Sequence, residues 1–178
     1  MKKFALIAAL PVLAIAHANA ADGTITINGL ITDKTCNIVN NGGKDFTVNL
    51  PTVSKQTLAN PGQVAGRTPF TIKLANCSEG KVATYFEPGA TVDVNSGRLK
   101  NQDAAGAQNV QIQLLGANNQ FLPITATTGA NGAQANSQWV DVAKGGSADL
   151  NYYSEYYATG TASAGKVTTS VQYTIIYQ

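Results

Sequence analysis

Residues 167–178 read "VTTSVQYTIIYQ" and alternate at every second position. Val167, Thr169, Val171, Tyr173, Ile175 and Tyr177 share one side of an extended chain; Thr168, Ser170, Gln172, Thr174, Ile176 and Gln178 share the other. The first set is mostly apolar and the second mostly polar, which predicts a half-buried β-strand. Chain ends are usually frayed, yet this one carries a long amphipathic strand with Tyr177 next to last. An apolar strand edge is an aggregation hazard unless something covers it.

Working back from that strand, short alternating or apolar runs recur at 24–31, 45–50, 68–75, 81–87, 109–115, 120–124, 138–142 and 149–157. Turn signals separate them, among them Asn41-Gly42-Gly43, Pro61-Gly62, Pro88-Gly89, Asn131-Gly132 and Gly145-Gly146. No window sustains a helical period. Many short strands at this spacing predict an all-β sandwich. Segments 96–108 and 125–137, rich in Gly, Ala, Asn and Gln, read as surface loops. Neither an internal repeat nor a domain linker is visible.

The other end sets the compartment. Lys2 and Lys3 precede an apolar run from 4 to 16, and Ala18 and Ala20 supply the small residues of a cleavage site before Ala21. The run is shorter than the roughly 20 residues that a membrane span needs. Residues 1–20 are therefore expected to be a cleaved signal peptide, and the protein to be exported. Without Lys2 and Lys3 the 12 Lys+Arg fall to 10, equal to the 10 Asp+Glu. That balance offers no basic patch for nucleic acid or for an anionic membrane.

Two cysteines, Cys36 and Cys77, are an even count in an exported chain, which predicts one disulfide. A metal or catalytic pair is the rival reading, weakened by the lack of CxxC spacing. The only histidine, His17, lies within the signal peptide. A histidine-based nucleophilic site is therefore unavailable in residues 21–178, and no P-loop, dinucleotide fingerprint or metal-ligand cluster is present. The acids are scattered on turns and polar strand faces. No enzyme, cofactor or metal is expected. The tyrosines of "NYYSEYY" (151–157) could form a sugar-stacking platform, but alternation of either Tyr152 and Tyr156 or Tyr153 and Tyr157 into a core explains them more simply. Trp139 reads as a packing residue.

A second unusual strand pattern starts close to the cleavage site. Ile25, Ile27, Gly29 and Ile31 share one face; Thr24, Thr26 and Asn28 share the other, with Leu30 breaking the polarity. Taken alone it is the first strand of a sandwich. With the rest of the chain it resembles the extension of a known family. Gly29 stands seven residues before Cys36, and the second cysteine lies in "FTIKLANCS" (70–78). "YFEPG" (85–89), "NVQIQLLGANNQFLPI" (109–124) and "YYATGTASAGKVTTSVQYTIIYQ" (156–178) follow in family order, with Gly165 fourteenth from the end. The chain resembles the major pilin subunits of chaperone–usher pili, of the type 1 fimbrial kind.

The resemblance implies an incomplete immunoglobulin-like β-sandwich that lacks its last strand. It divides the chain into a signal peptide (1–20), a donor-strand extension (21–33) and a pilin domain (34–178). Ile25, Ile27, Gly29 and Ile31 would enter a neighbour's groove. Gly165, Val171, Tyr173, Ile175 and Tyr177 would mark the receiving strand, which a periplasmic chaperone also recognises. The implied partners are identical subunits head to tail, that chaperone, an outer-membrane usher and other pilus subunits, in an extracellular fimbria that supports adhesion. Two alternatives stay open: a minor or adaptor subunit, and a secreted self-contained sandwich that binds carbohydrate.

Overall fold

The computed structural model describes residues 22–41, 43–129 and 131–178. The expected signal peptide lies outside the described residues. The chain divides into two units, Met1–Ile31 and Thr32–Gln178.

In the first unit, residues 22–31 form no strand and are exposed throughout. Ile25 and Ile27 are 90% exposed and Ile31 fully so. The alternation expected to make a strand is present without one. A strand needs a ladder to pair its main-chain groups, and this segment has none of its own.

The second unit is all-β apart from one short 3-10 turn. In chain order its strands are β1 (Asn37–Ile38), β2 (Val64–Cys77), β3 (Gly80–Phe86), β4 (Val92–Asp93), β5 (Arg98–Lys100), β6 (Val110–Leu115), β7 (Phe121–Leu122), β8 (Val140–Val142), β9 (Gly146–Ala158) and β10 (Tyr173–Tyr177). The 3-10 turn, Lys55–Leu58, starts where the Ser54 hydroxyl accepts from the Gln56 N–H. One sheet runs β1-β2-β9-β6-β5-β4 with β7 on β6; the other runs β10-β3-β8. All pairings are antiparallel.

The spine is the long pair β2 and β9, in register from Thr68 opposite Ser154 to Leu74 opposite Ala148. Even positions of β9 turn inward, so Leu150 and Tyr152 are buried with Ile72 and Leu74 of β2. Val82 and Phe86 of β3 and Val142 of β8 meet them from the other sheet, and that shared core makes the two sheets a sandwich. Between Ala65 and Thr68 the pairing slips. Gly66 sits there at φ +69°, where a Cβ would stand 3.0 Å from the Tyr156 ring. That combination of bulge and close approach suits glycine alone.

Cys36 and Cys77 are disulfide-bonded, pinning β1 to the end of β2 across 41 residues of chain. Closing a loop of that size stabilises by ~4 kcal/mol in the chain-entropy account. Beyond β1, Asn40 continues the pairing with its side chain: Nδ2 donates to Thr71 O and Oδ1 accepts from Lys73 N–H.

Two expected loops contribute to the core. Segment 96–108 contains β5, whose Leu99 is buried, and Ala107 closes a smaller cluster with Leu58, Val110, Ala158 and Ala162. In segment 125–137, Gln134 is buried and does the work of a strand partner. Its Oε1 accepts from Phe86 N–H at 2.9 Å and its Nε2 donates to Phe86 O at 2.7 Å. A primary amide carries the same donor and acceptor as a peptide unit, which is why composition alone read this glutamine as loop.

The outer face of the large sheet holds a polar network that alternation does not reveal. Glu155, 2% exposed, accepts from Arg67 Nε at 2.8 Å and from Gln113 Nε2 at 2.7 Å. Gln113 Oε1 accepts from Arg98 Nε, and the Arg98 guanidinium lies over the Phe121 and Tyr157 rings. The Glu155 carboxylate holds the Arg67 pKa above its ordinary value, hydrogen bonding being the larger cause.

Candidate functional site

The terminal strand pairs on one side only. Tyr173 stands opposite Phe86, Ile175 opposite Thr84 and Tyr177 opposite Val82. At one end Gln178 and Lys81 exchange both main-chain bonds, at 2.9 and 3.0 Å, and at the other Glu87 N–H donates to Gln172 O. Antiparallel bonding alternates residue by residue. Even-numbered residues therefore turn their main chain toward β3, and Tyr173, Ile175 and Tyr177 turn theirs to the opposite edge. The same parity continues upstream, where Thr168 O accepts from Gln102 N–H and Lys166 O from Ala107 N–H. Because those partners belong to a loop rather than a ladder, residues 167–172 form no regular strand, and the expected long strand is shortened to β10. Among the described residues β10 has no ladder neighbour other than β3.

The same odd-numbered residues direct their side chains at the core. Val167, Val171, Tyr173, Ile175 and Tyr177 pack against it but stay only half-buried. Thr169 shares the row, and its hydroxyl is shielded without a hydrogen-bond partner among the described residues. This is a strand edge with an apolar row and a line of free main-chain groups.

A second apolar row meets it at Tyr173. Residues 45–53 form no strand, yet Phe46, Val48 and Leu50 are half-buried while Thr47 and Asn49 are exposed. Phe46 and Leu50 pack on the main core. The run 45–50 was legible as a strand pattern; its place opposite β10 was not. Two tyrosines of the terminal row reach the first part of the domain. Tyr173 Oη donates to Lys44 O at 2.7 Å, and Tyr177 Oη accepts from Cys36 N–H at 3.1 Å. The Phe46 and Tyr173 rings meet edge-on, centroids 6.4 Å apart. Burial raises the Tyr173 phenol pKa, with a smaller push from the Asp45 carboxylate. The result is an apolar row with an unpaired strand edge, met at Tyr173 by the Phe46 ring and the Lys44 carbonyl.

Gly165 opens this segment at φ +155°, and a Cβ there would lie 2.4 Å from Ala107 N. Its glycine is required by contact with the 106–107 loop. The structure thus brings Val171, Tyr173, Ile175 and Tyr177 together on one edge, with Gly165 at its start. Ile25, Ile27, Gly29 and Ile31 lie in the other unit and stay exposed.

The tyrosine cluster separates by parity. Tyr152 is buried against Phe70 and Phe86, whereas Tyr157 on the outer face lies beneath Arg98. Among the described residues no group of three His, Cys, Asp or Glu is placed to hold a metal.

An all-β sandwich whose terminal strand is paired on one side only, in a chain that also carries an exposed apolar extension, has the form of a fibre-building subunit. The chain belongs to the type-1 fimbrial protein family (FimA, "Type-1 fimbrial protein, A"), whose profile matches residues 50–178. It is 70% identical over 161 residues to the major fimbrial subunit SMF-1 of Stenotrophomonas maltophilia, covering 90% of this chain and 95% of that one. It is 43% identical over 178 residues to the F17 fimbrial protein of Escherichia coli, covering 95% and 96%. Among solved structures, the P pilus rod subunit PapA matches with TM-score 0.59 at 20% identity, over 80% of this chain and 99% of that one. A chain from a chaperone–usher pilus structure concerned with rod uncoiling matches with TM-score 0.60 at 21% identity, over 89% and 96%. At such identities these structures speak for the fold, and the family establishes the role: a structural subunit of bacterial fimbriae.

Proposed function

We propose that the edge of β10 receives residues 21–33 of a second copy, so that subunits polymerise head to tail by donor-strand exchange into a surface fimbria. Strand addition is already the established mode for chaperone–pilin complexes; the assignment of residues in this chain is the new part. One observation carries the reading. Tyr173, Ile175 and Tyr177 offer free main-chain groups beside half-buried side chains, while Ile25, Ile27 and Ile31 stand exposed at matching period-2 spacing.

Burying the three isoleucines contributes ~5–9 kcal/mol before ordering costs, at about 1.5–3 each. Gly29 belongs where the groove is already filled, over Phe46 and Tyr173, since a side chain there would meet both rings. Before assembly a periplasmic chaperone covers the same edge, and an outer-membrane usher oversees the exchange. The contact is heterologous and does not close, so it propagates as a fibre. No bond is made or broken and no cofactor takes part. The 70% identity with a major subunit favours a shaft role over a minor or adaptor one.

The test is thermal unfolding of two oxidised variants. One lacks residues 21–33; the other lacks them but carries the same segment after a flexible linker at Gln178. The appended strand is expected to raise Tm by about 10 °C or more, given 2–4 °C per kcal/mol for a domain of this size. Equal, cooperative melting of the two would show that β10 receives nothing, in favour of the self-contained binder.

A further inference from the structure

We propose that Asn28–Gly29 is a spontaneous deamidation site that limits how long an unassembled subunit remains able to donate its strand. This rests on the donor-strand reading above. Both residues are exposed, and nothing within 4 Å would meet a Cβ on Gly29. Among the described residues the Gly29 N–H donates to no backbone acceptor. An unhindered nitrogen following an asparagine is the arrangement that favours ring closure, and glycine adds the freedom of φ and ψ that closure needs.

The chemistry balances with water alone. The Gly29 nitrogen gives its proton to solvent base and attacks Cγ of Asn28. The N–Cγ bond forms, the Cγ–Nδ2 bond breaks, and ammonia leaves. Water then adds to one of the two carbonyls of the succinimide and opens the ring, giving aspartate or isoaspartate.

Of the three Asn–Gly pairs in the sequence, Asn41–Gly42 has its glycine outside the described residues, and Asn131–Gly132 supplies an internal comparison. Gly132, after Asn131, is held in a turn at φ +81°, and its N–H donates to Gly129 O at 3.0 Å. Its nitrogen is engaged and Gly29's is not, so position 28 is the faster of the two.

The consequence follows from strand geometry. Isoaspartate routes the main chain through Cβ, adding one atom between residues 28 and 29. Side-chain alternation is then no longer continuous, so Ile25 and Ile27 cannot face the groove together with Ile31. An inserted strand is held extended and hydrogen-bonded, which keeps the Gly29 nitrogen away from Cγ. Assembled subunits are therefore protected and idle ones expire.

The experiment ages the full-length exported chain in mildly alkaline buffer and reads each Asn–Gly pair by peptide mass mapping, with assembly followed by electron microscopy. Conversion is expected at Asn28 before Asn131, with assembly falling in proportion to isoaspartate at 28, while the Asn28 amide survives in preformed fibres. Asn28→Gln should assemble when fresh and keep that ability on ageing. Fresh Asn28→Asp, which adds the charge without the extra atom, should assemble like the unaged chain; its failure overturns the register mechanism. Earlier conversion at Asn131, or normal assembly by chains converted at 28, overturns the proposal. If fresh wild-type chains do not assemble, the donor-strand reading fails, while the mass map still decides the chemistry.

Discussion

The Tyr173 hydroxyl donates to the Lys44 carbonyl at 2.7 Å, a bond that joins positions 129 residues apart and ties the terminal strand to the segment that carries Phe46. Beside it the Phe46 ring meets Tyr173 and Phe70, so this contact is held by packing as well as by the bond.

Tyr173→Phe should cost about 1 kcal/mol, the net worth of one hydrogen bond. It should also change the alkaline limb of stability. The folded-state phenol pKa is raised, so the neutral phenol's contribution is complete below the unfolded value of about 10 and is lost as pH rises through the folded one. A Tm series through that range should fall more steeply for wild type than for Tyr173→Phe. Parallel curves would remove Tyr173 as the cause.

Ile27→Asp changes a side chain that is 90% exposed. The melting of an isolated subunit should be unaffected, while fibre assembly should be lost, because a charge would have to enter an apolar groove. Sedimentation of assembly mixtures separates the two effects, and normal fibres would exclude Ile27 from the contact.

Gly29→Val should block assembly, and Phe46→Ala in the receiving subunit should restore part of it. The readout is coupling between sites on different copies, measured as a double-mutant cycle on assembly yield. Additive losses would place Gly29 somewhere other than over Phe46 and Tyr173.

Gly165→Ala puts a Cβ 2.4 Å from Ala107 N and 2.6 Å from Gly106 C. Backbone on the far side cannot move away as a flexible side chain would, so a loss of about 1–3 kcal/mol is expected. Denaturant midpoints check it; a change within error would mean that the 106–107 loop yields freely.

Replacing both cysteines, Cys36→Ala with Cys77→Ala, should destabilise by ~4 kcal/mol, chiefly through a freer unfolded chain. Calorimetry under identical buffer gives the difference. An unchanged Tm would mean that Asn40 and the β1–β2 pairing hold the first strand without the bridge.

Much of this fold is written in local sequence pattern. Period-2 alternation over residues 68–75, 81–87, 109–115 and 149–157 marked β2, β3, β6 and β9, since side-chain direction along a strand depends on local backbone alone. The odd-numbered row from Val171 to Tyr177 and the isoleucines of the extension came from the same rule, and the pairing of Cys36 with Cys77 from an even cysteine count in an exported chain. Local pattern could not say which side of the terminal strand stays unpaired. That depends on β3 bonding to the even-numbered residues and on loop 101–107 taking Thr168 and Lys166, contacts between distant parts of the chain. Nor could it place Phe46 across from Tyr173, turn Gln134 into a strand partner, or bury Glu155 between Arg67 and Gln113. Alternation encodes which residues want to be covered; only the tertiary arrangement decides what covers them, and among the described residues it leaves the outer edge of β10 unpaired.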